Sequence, residues 1–418
     1  MKNEEKNKVT QAAKDDTFYQ KTLLEADTKP AREGDEPLLR ESLLAEKEEK
    51  NRETVSGLRS FLKRKNIEIS FQRYAVDALG AMALGLFASL LIGTIVNSLA
   101  GLVGIESSLG SWLALAGSYA SKATGPAMAV AIGYSLKAPA LVLFTLAGVG
   151  LAANDLAGAG GPLAVLVVAL LACECGKLVS KTTKVDILVT PLVTLLVGIG
   201  LASSLAPGIG QLATSVGNAI VWATNQQPLL MGILVSVLMG IALTLPISSA
   251  AIAAAFGLVG LAGGAAHAGC CAQMVGFAVM SYPENGLGGL VAQGLGTSML
   301  QMPNIVKNPK IWLPPILASA ITGPLSTLVF KLEMNGPPIS SGMGTSGLVG
   351  PIGLVTGWFN PSEAALSYGL EGLKAGGMDY LNLFLISFVL PAILTWIFAR
   401  VFRKLGWIKA KDLKLNLG

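Results

Sequence analysis

From Ala75 to Arg400 the chain is almost continuously apolar, yet Gly, Pro, Ser, Asn and a few isolated ionisable residues puncture the run throughout. A helix crosses a bilayer with about 20 apolar residues. Stretches near that length lie at 75–99, 113–135, 139–154, 161–176, 186–206, 228–247, 287–303, 311–332 and 380–402. Residues 248–282 and 336–358 are apolar too, but rich in Gly and Ser. They predict hairpins that enter the membrane and return. Irregular backbone survives at membrane depth only where protein or a water-filled cavity satisfies its N–H and C=O groups. So many breaks predict a chain that carries a solute rather than an inert anchor. The expected fold is all-α: about eight to ten transmembrane helices with two re-entrant hairpins.

Composition agrees with this class. Hydrophobic residues make up 52% of the chain and charged residues 14%, against about a quarter charged in a soluble domain. The charges are concentrated at the start. Up to Tyr74 there are 16 Lys/Arg and 15 Asp/Glu, which leaves 15 of the 31 basic and 11 of the 26 acidic residues for everything after it. Residues 1–70 therefore read as a charged leader with too little apolar surface to offset its ordering entropy. It has no apolar core of a secretory signal. Residues 71–405 read as the membrane domain and 406–418 as a basic tail. Lys63, Arg64, Lys65 and Arg73 precede the first span, and Arg400, Arg403, Lys404, Lys409, Lys411 and Lys414 follow the last. The excess of basic residues at both ends predicts a multi-pass protein of the cell membrane with both termini cytoplasmic.

The chemistry available is sparse. Four cysteines (Cys173, Cys175, Cys270, Cys271) and the single histidine, His267, lack zinc-site spacing, so neither metal nor cofactor is expected. No nucleic-acid partner is expected either. An internal echo is more informative. Pro246-Ile247-Ser248-Ser249 precedes Gly257-Leu258-Val259-Gly260, and Pro338-Ile339-Ser340-Ser341 precedes Gly347-Leu348-Val349-Gly350. Paired Gly/Pro-interrupted segments in corresponding positions point to a transporter's binding site. Serine hydroxyls and freed amides suit a polar, neutral solute; alternatively, a helix N-terminus near Ser340–Gly344 would suit an anion. The candidates for contact with solute are His267, Gln273, Glu284, Asn285, Asn304, Glu333, Asn335, Ser340 and Ser341. Carboxylates at membrane depth are costly without partners, which singles out Glu284 and Glu333. Each has a plainer reading, as a solvated turn for Glu284 and an interfacial anchor with Lys331 for Glu333.

The stretch Pro337-Pro338-Ile339-Ser340-Ser341-Gly342-Met343-Gly344-Thr345-Ser346-Gly347-Leu348-Val349-Gly350 is distinctive. So are the run from Glu174 to Asp186 and Gln301-Met302-Pro303-Asn304. Together they resemble the IIC permease subunits of the bacterial phosphoenolpyruvate-dependent sugar phosphotransferase system, in the branch that includes a perfringolysin O regulator. The resemblance covers about residues 70–405. It implies a homodimer, re-entrant hairpins and a sugar site built on a histidine and a glutamate, with a separate phosphorylated IIB protein as phosphoryl donor. His267 is the histidine available to match. The relatives' Gly-Ile-Thr-Glu tetrapeptide is missing here, so Glu284 and Glu333 both remain open. Met1–Tyr74 contains neither His nor Cys, so a fused phosphoryl carrier is not expected in the leader.

The reading is a membrane permease that binds and translocates a sugar, at most the membrane component of a sugar phosphotransferase. The alternatives are a phosphorylation-independent secondary transporter, proton-coupled through His267 or Glu284 or uncoupled, and a membrane sensor or regulator of gene expression that signals through the leader.

Overall fold

The computed structural model describes residues 60–415. Most of the leader, and the last residues of the basic tail, lie outside them. The chain divides into two units, Met1–Arg64 and Lys65–Gly418. Of the first, only residues 60–64 are described, and they are helical. The rest of the fold belongs to the second.

Helices supply all the described elements; the β-pairing is an isolated bridge between Gly260 and Met334. Helix α1 (Gln72–Gly101) is continuous, with π turns at Gln72–Asp77 and Phe87–Leu91. Next come α2 (Ser108–Lys122) and α3 (Thr124–Ser135). The expected single span 113–135 thus breaks at Ala123, where ψ rises to 5°. Pro126 explains the position. Proline lacks the N–H that a helix interior needs, but the first turn leaves its N–H groups unpaired anyway.

Helices α4 (Ala140–Ala157) and α5 (Gly161–Val179) pack on each other across a one-turn link at Gly158–Gly160. Helix α6 (Asp186–Thr224) then runs for 39 residues. It runs on through Pro207, past the end of the span expected at 186–206. Packing overrides the local breaker: a Cβ at Gly210 would fall 2.7 Å from the Ala157 carbonyl oxygen, and one at Gly160 would fall 2.8 Å from that of Ile209. The glycines let α6 seat closely enough on the α4–α5 turn to offset the hydrogen bond lost at Pro207.

Helix α7 (Pro228–Thr244) leads to short α8 (Ser249–Ala255) and then to α9 (Gly260–Met280). In place of two short arms for 248–282, the second arm is a complete 21-residue helix. Every residue of it from Gly263 to Ala278 is buried. The expected span 287–303 is not a single helix. It resolves into α10 (Tyr282–Val291), a π turn at Ala292–Gly296, extended Thr297, a 3-10 turn at Ser298–Gln301 and α11 (Met302–Lys307). Gly286 at φ 59° and Thr297 at φ −156° interrupt it, and glycine alone takes the first of these without strain.

Helix α12 (Pro309–Val329) precedes the second motif. That motif forms two 3-10 turns, Pro338–Gly342 and Ser346–Leu348, before α13 (Val349–Phe359). Short α14 (Glu363–Ser367) and the long α15 (Gly377–Lys404) complete the order. Among the described residues, five helical stretches are long and apolar enough to cross a bilayer. One of them, the 40-residue stretch Ala140–Val179, would reach about 60 Å as a single helix. That is roughly twice the hydrocarbon thickness, and it is two helices, α4 and α5.

One apolar cluster joins α1, α3, α4 and α5, a second joins α6, α7, α8 and α9, and a third joins α9, α13 and α15. Helix α9 contributes to all three. Its small residues permit close contact: Gly263 and Gly264 face the Leu332–Met334 segment, Gly269 faces α7, and Gly276 faces Thr395 of α15.

Candidate functional site

The two echoed motifs meet. Ser249 of the first donates its hydroxyl to the Gly342 carbonyl of the second at 2.7 Å. A Cβ at Gly342 would lie 2.4 Å from the Ser249 carbonyl oxygen, so only glycine allows this approach. Each motif is also anchored behind. Ser248 caps α8 by accepting from the Ala251 N–H at 3.1 Å, and its own N–H reaches the Ala159 carbonyl at 2.8 Å. Past the first motif, Gly260 and Met334 exchange two backbone hydrogen bonds of 2.9 and 3.0 Å. This two-bond bridge ties the end of copy one to the approach of copy two.

Between the motifs lies a cavity of about 50 Å³, with Ser248, Ser249, Thr297, Met343 and Ser346 among its lining residues and aliphatic side chains of α1 and α7 around them. Ligand pockets run to about 300–1,000 Å³. This cavity has room for a water or two, so the seam is shut. Ser346 is buried, and its hydroxyl has no partner. No carboxylate lines the cavity.

His267 stands on the far side of the glycine-rich loop that carries Met343 and Ser346. It is fully buried; its Nε2 lies 2.8 Å from the Ser387 hydroxyl, and Cys271 Sγ lies 3.4 Å from the same nitrogen. A Cβ at Gly350 would fall 2.5 Å from His267 Nδ1. Gln273, two turns further along α9, is also fully buried. Its Oε1 accepts from Trp312 Nε1 at 2.9 Å and from Thr244 at 3.3 Å.

The family model described as "Phosphotransferase system, EIIC" matches residues 76–415 of the 418. The chain belongs to the EIIC family of the phosphotransferase system. It is a membrane permease component of that system. The comparison with curated proteins found no match, and neither did the comparison with solved structures.

Other candidates in this EIIC chain lie away from the seam. Glu284 pairs with Arg403 at 2.7 Å, and Arg403 also donates to the Met280 carbonyl at 3.0 Å. Asn285 and Asn304 hold the C-terminal tail. Asn285 donates to the Leu413 carbonyl and accepts from the Leu415 N–H, both at 2.8 Å, and Asn304 donates to the Lys414 carbonyl at 2.9 Å. Gln301 adds a bond to Leu413 and Asn308 one to Trp407, each at 3.0 Å. The tail is part of the folded body, with Ile408 and Leu413 buried in the α1–α5 cluster. Replacing Asn285 with Ala removes two of these bonds, each contributing about 1 kcal/mol. Trypsin should then cut after the exposed Lys411 and Lys414 several-fold faster than in the wild type, followed by mass spectrometry.

Glu333 lines a recess of about 210 Å³ with Lys331, Glu371 and Asp379. Asn335 sits beside it, donating to the Glu371 carbonyl at 3.0 Å, while its own Oδ1 has no partner. Ser341 donates to the Pro338 carbonyl at 2.8 Å, and buried Ser340 faces Gly353. Of the nine candidates, Ser340, Ser341 and His267 stand closest to the seam, on or against the glycine-rich motif. Gln273 is linked through Thr244 to Ser298, a chain neighbour of the lining residues Thr297 and Met299, and the other five are elsewhere. The cavity's own hydroxyls (Ser248, Ser249, Thr297 and Ser346) were not among the candidates. The echo could have found Ser248 and Ser249, since they are the counterparts of Ser340 and Ser341.

Proposed function

We propose that this EIIC protein binds a sugar between its two serine- and glycine-rich motifs and translocates it by alternating access. The observation that carries this reading is the direct seam from Ser249 to Gly342, closed over a small cavity bearing uncharged hydroxyls. Neutral donors and acceptors suit a polyhydroxylated, uncharged solute. An anion would require compensating charge at membrane depth, and the lining has none. Parting the motifs enlarges the cavity to solute size, and His267 backs the loop that has to move.

The phosphoryl group comes from a separate IIB protein, since no His or Cys lines the cavity to carry it. Phosphate adds about −1.5 to −2 charge at neutral pH and so blocks the product's return across an apolar seam. A homodimer with both termini cytoplasmic belongs to the same proposal. The exposed apolar face of α6, with Leu192, Leu196, Leu212 and Trp222, suits lipid or a second copy.

Vesicles containing the purified protein test this reading, given labelled sugars with and without phosphorylated IIB. Accumulation of sugar phosphate that requires IIB is the expected result. Movement of unmodified sugar down its gradient, indifferent to IIB, would instead mark a secondary transporter. No flux under either condition removes the permease reading.

A further inference from the structure

We infer that Gln273 is a specificity residue for the solute, with its side-chain NH₂ kept vacant in the closed state to meet an oxygen acceptor on the sugar. The inference rests on the sugar reading above. The orientation of the amide follows from its neighbours. Trp312 Nε1 can only donate, and it sits 2.9 Å from the amide oxygen. Flipping the amide would set two donors against each other. Thr244 lies 3.3 Å from the same oxygen and, as a hydroxyl, can donate to it. The nitrogen Nε2 takes part in neither contact, is fully buried, and has no hydrogen-bond partner. An orphaned buried donor is costly to the fold. A methionine or leucine at this position would fill the space without the orphaned amide, though Trp312 Nε1 would lose its acceptor.

The location gives the vacancy a use. Thr244 also shares a 2.8 Å hydrogen bond with Ser298. The chain neighbours of that pair, Leu243, Thr297 and Met299, line the closed cavity between the motifs. The Thr244–Ser298 pair is thus adjacent in the chain to the cavity lining, and Gln273 joins the pair through Thr244. Both hydroxyls can donate and accept, so a sugar hydroxyl entering as the wall parts can replace one partner of each. Nε2 then gains the acceptor it lacks. The donor selects for an oxygen acceptor at that position, either a hydroxyl or ring oxygen or the carbonyl of an acetamido group.

Gln273→Met keeps the length of the side chain and removes the donor, with Gln273→Leu as a second variant should the first not fold. Purified full-length wild type and variants are titrated with glucose, galactose, mannitol and N-acetylglucosamine. Heat denaturation is recorded for each with and without sugar. The expected result is a variant that loses no more heat stability without sugar than Trp312→Phe, which breaks the same indole–amide bond, and whose affinity for the sugar that the wild type prefers falls about tenfold or more. A preference for N-acetylglucosamine assigns the acceptor to an acetamido carbonyl, and a preference for one of the other three assigns it to a hydroxyl or ring oxygen. Unchanged affinity in the variant overturns the inference and leaves the permease reading intact. Sugar-free destabilisation beyond that of Trp312→Phe in both variants overturns it too, assigning the amide nitrogen a structural role, such as holding a buried water. A wild type that binds none of the four sugars overturns both.

Discussion

Gly269→Ala is expected to destabilise the protein by about 3 kcal/mol, the upper part of the range for overpacked cores. The added Cβ would lie 1.8 Å from the Ser236 carbonyl oxygen. That oxygen is backbone of α7 and cannot rotate away, so α7 and α9 must separate. Helix α9 has no slack elsewhere. Gly264 presents the same 1.8 Å conflict, with the Leu332 carbonyl oxygen, and Gly276 meets Thr395 at 2.5 Å. Gly200 of α6 is the control, because a Cβ there meets nothing within 4 Å. Gly200→Ala should stabilise the helix by up to about 1 kcal/mol. Thermal unfolding in mild detergent reads both variants. Equal midpoints would show that α9 is not held by close backbone contact.

A loss of similar size is expected from Arg403→Met. Glu284 is only 8% exposed, and one of its oxygens already lacks a hydrogen bond. Taking away the guanidinium leaves a buried carboxylate uncompensated, which costs about 3–5 kcal/mol in closed sites. Arg403 is 30% exposed, so solvent reaches the pair and the lower end, about 3 kcal/mol, is appropriate. Glu284→Gln should cost about 1 kcal/mol, since it removes the charge and keeps an acceptor for Arg403. Combining the two should recover part of the Arg403→Met loss. A double variant no more stable than Arg403→Met alone would show that the stranded charge is not the cause.

These two expectations concern architecture, and the architecture was only partly readable from the residues. Apolar runs and their punctures gave the all-α membrane class and pointed to the paired motifs. They did not give helix ends where packing outweighs local preference. Pro207 reads as a breaker in any window, yet α6 passes through it because Gly160 and Gly210 allow a close approach. The stretch 287–303 reads as a span, yet Gly286 and Thr297 divide it. Both outcomes depend on neighbours distant in sequence.

The candidate site shows the same division. Glu284, Asn285 and Asn304 have the chemistry of a binding site, but their partners lie more than 100 residues away in α15 and the tail. Spacing alone cannot reveal such partners. The glycine-rich motif was legible because its function is local: Gly344 and Gly347 take φ of 53° and 52°, which side chains resist. Ser346 and Thr297 were invisible as cavity residues, because a hydroxyl in a Gly/Ser-rich stretch carries no mark of where it faces.

Pro246–Gly260 and Pro337–Gly350 contain no Lys, Arg, Asp or Glu. An elementary charge crossing the membrane potential does work of about 2.3 kcal/mol per 100 mV; these segments have none to move. A carrier that rocks them past each other with an unphosphorylated sugar therefore transfers no gating charge. Its exchange rate should be the same whether a potassium diffusion potential is imposed on the vesicle or collapsed, so the cell's electrical gradient neither drives nor brakes this step.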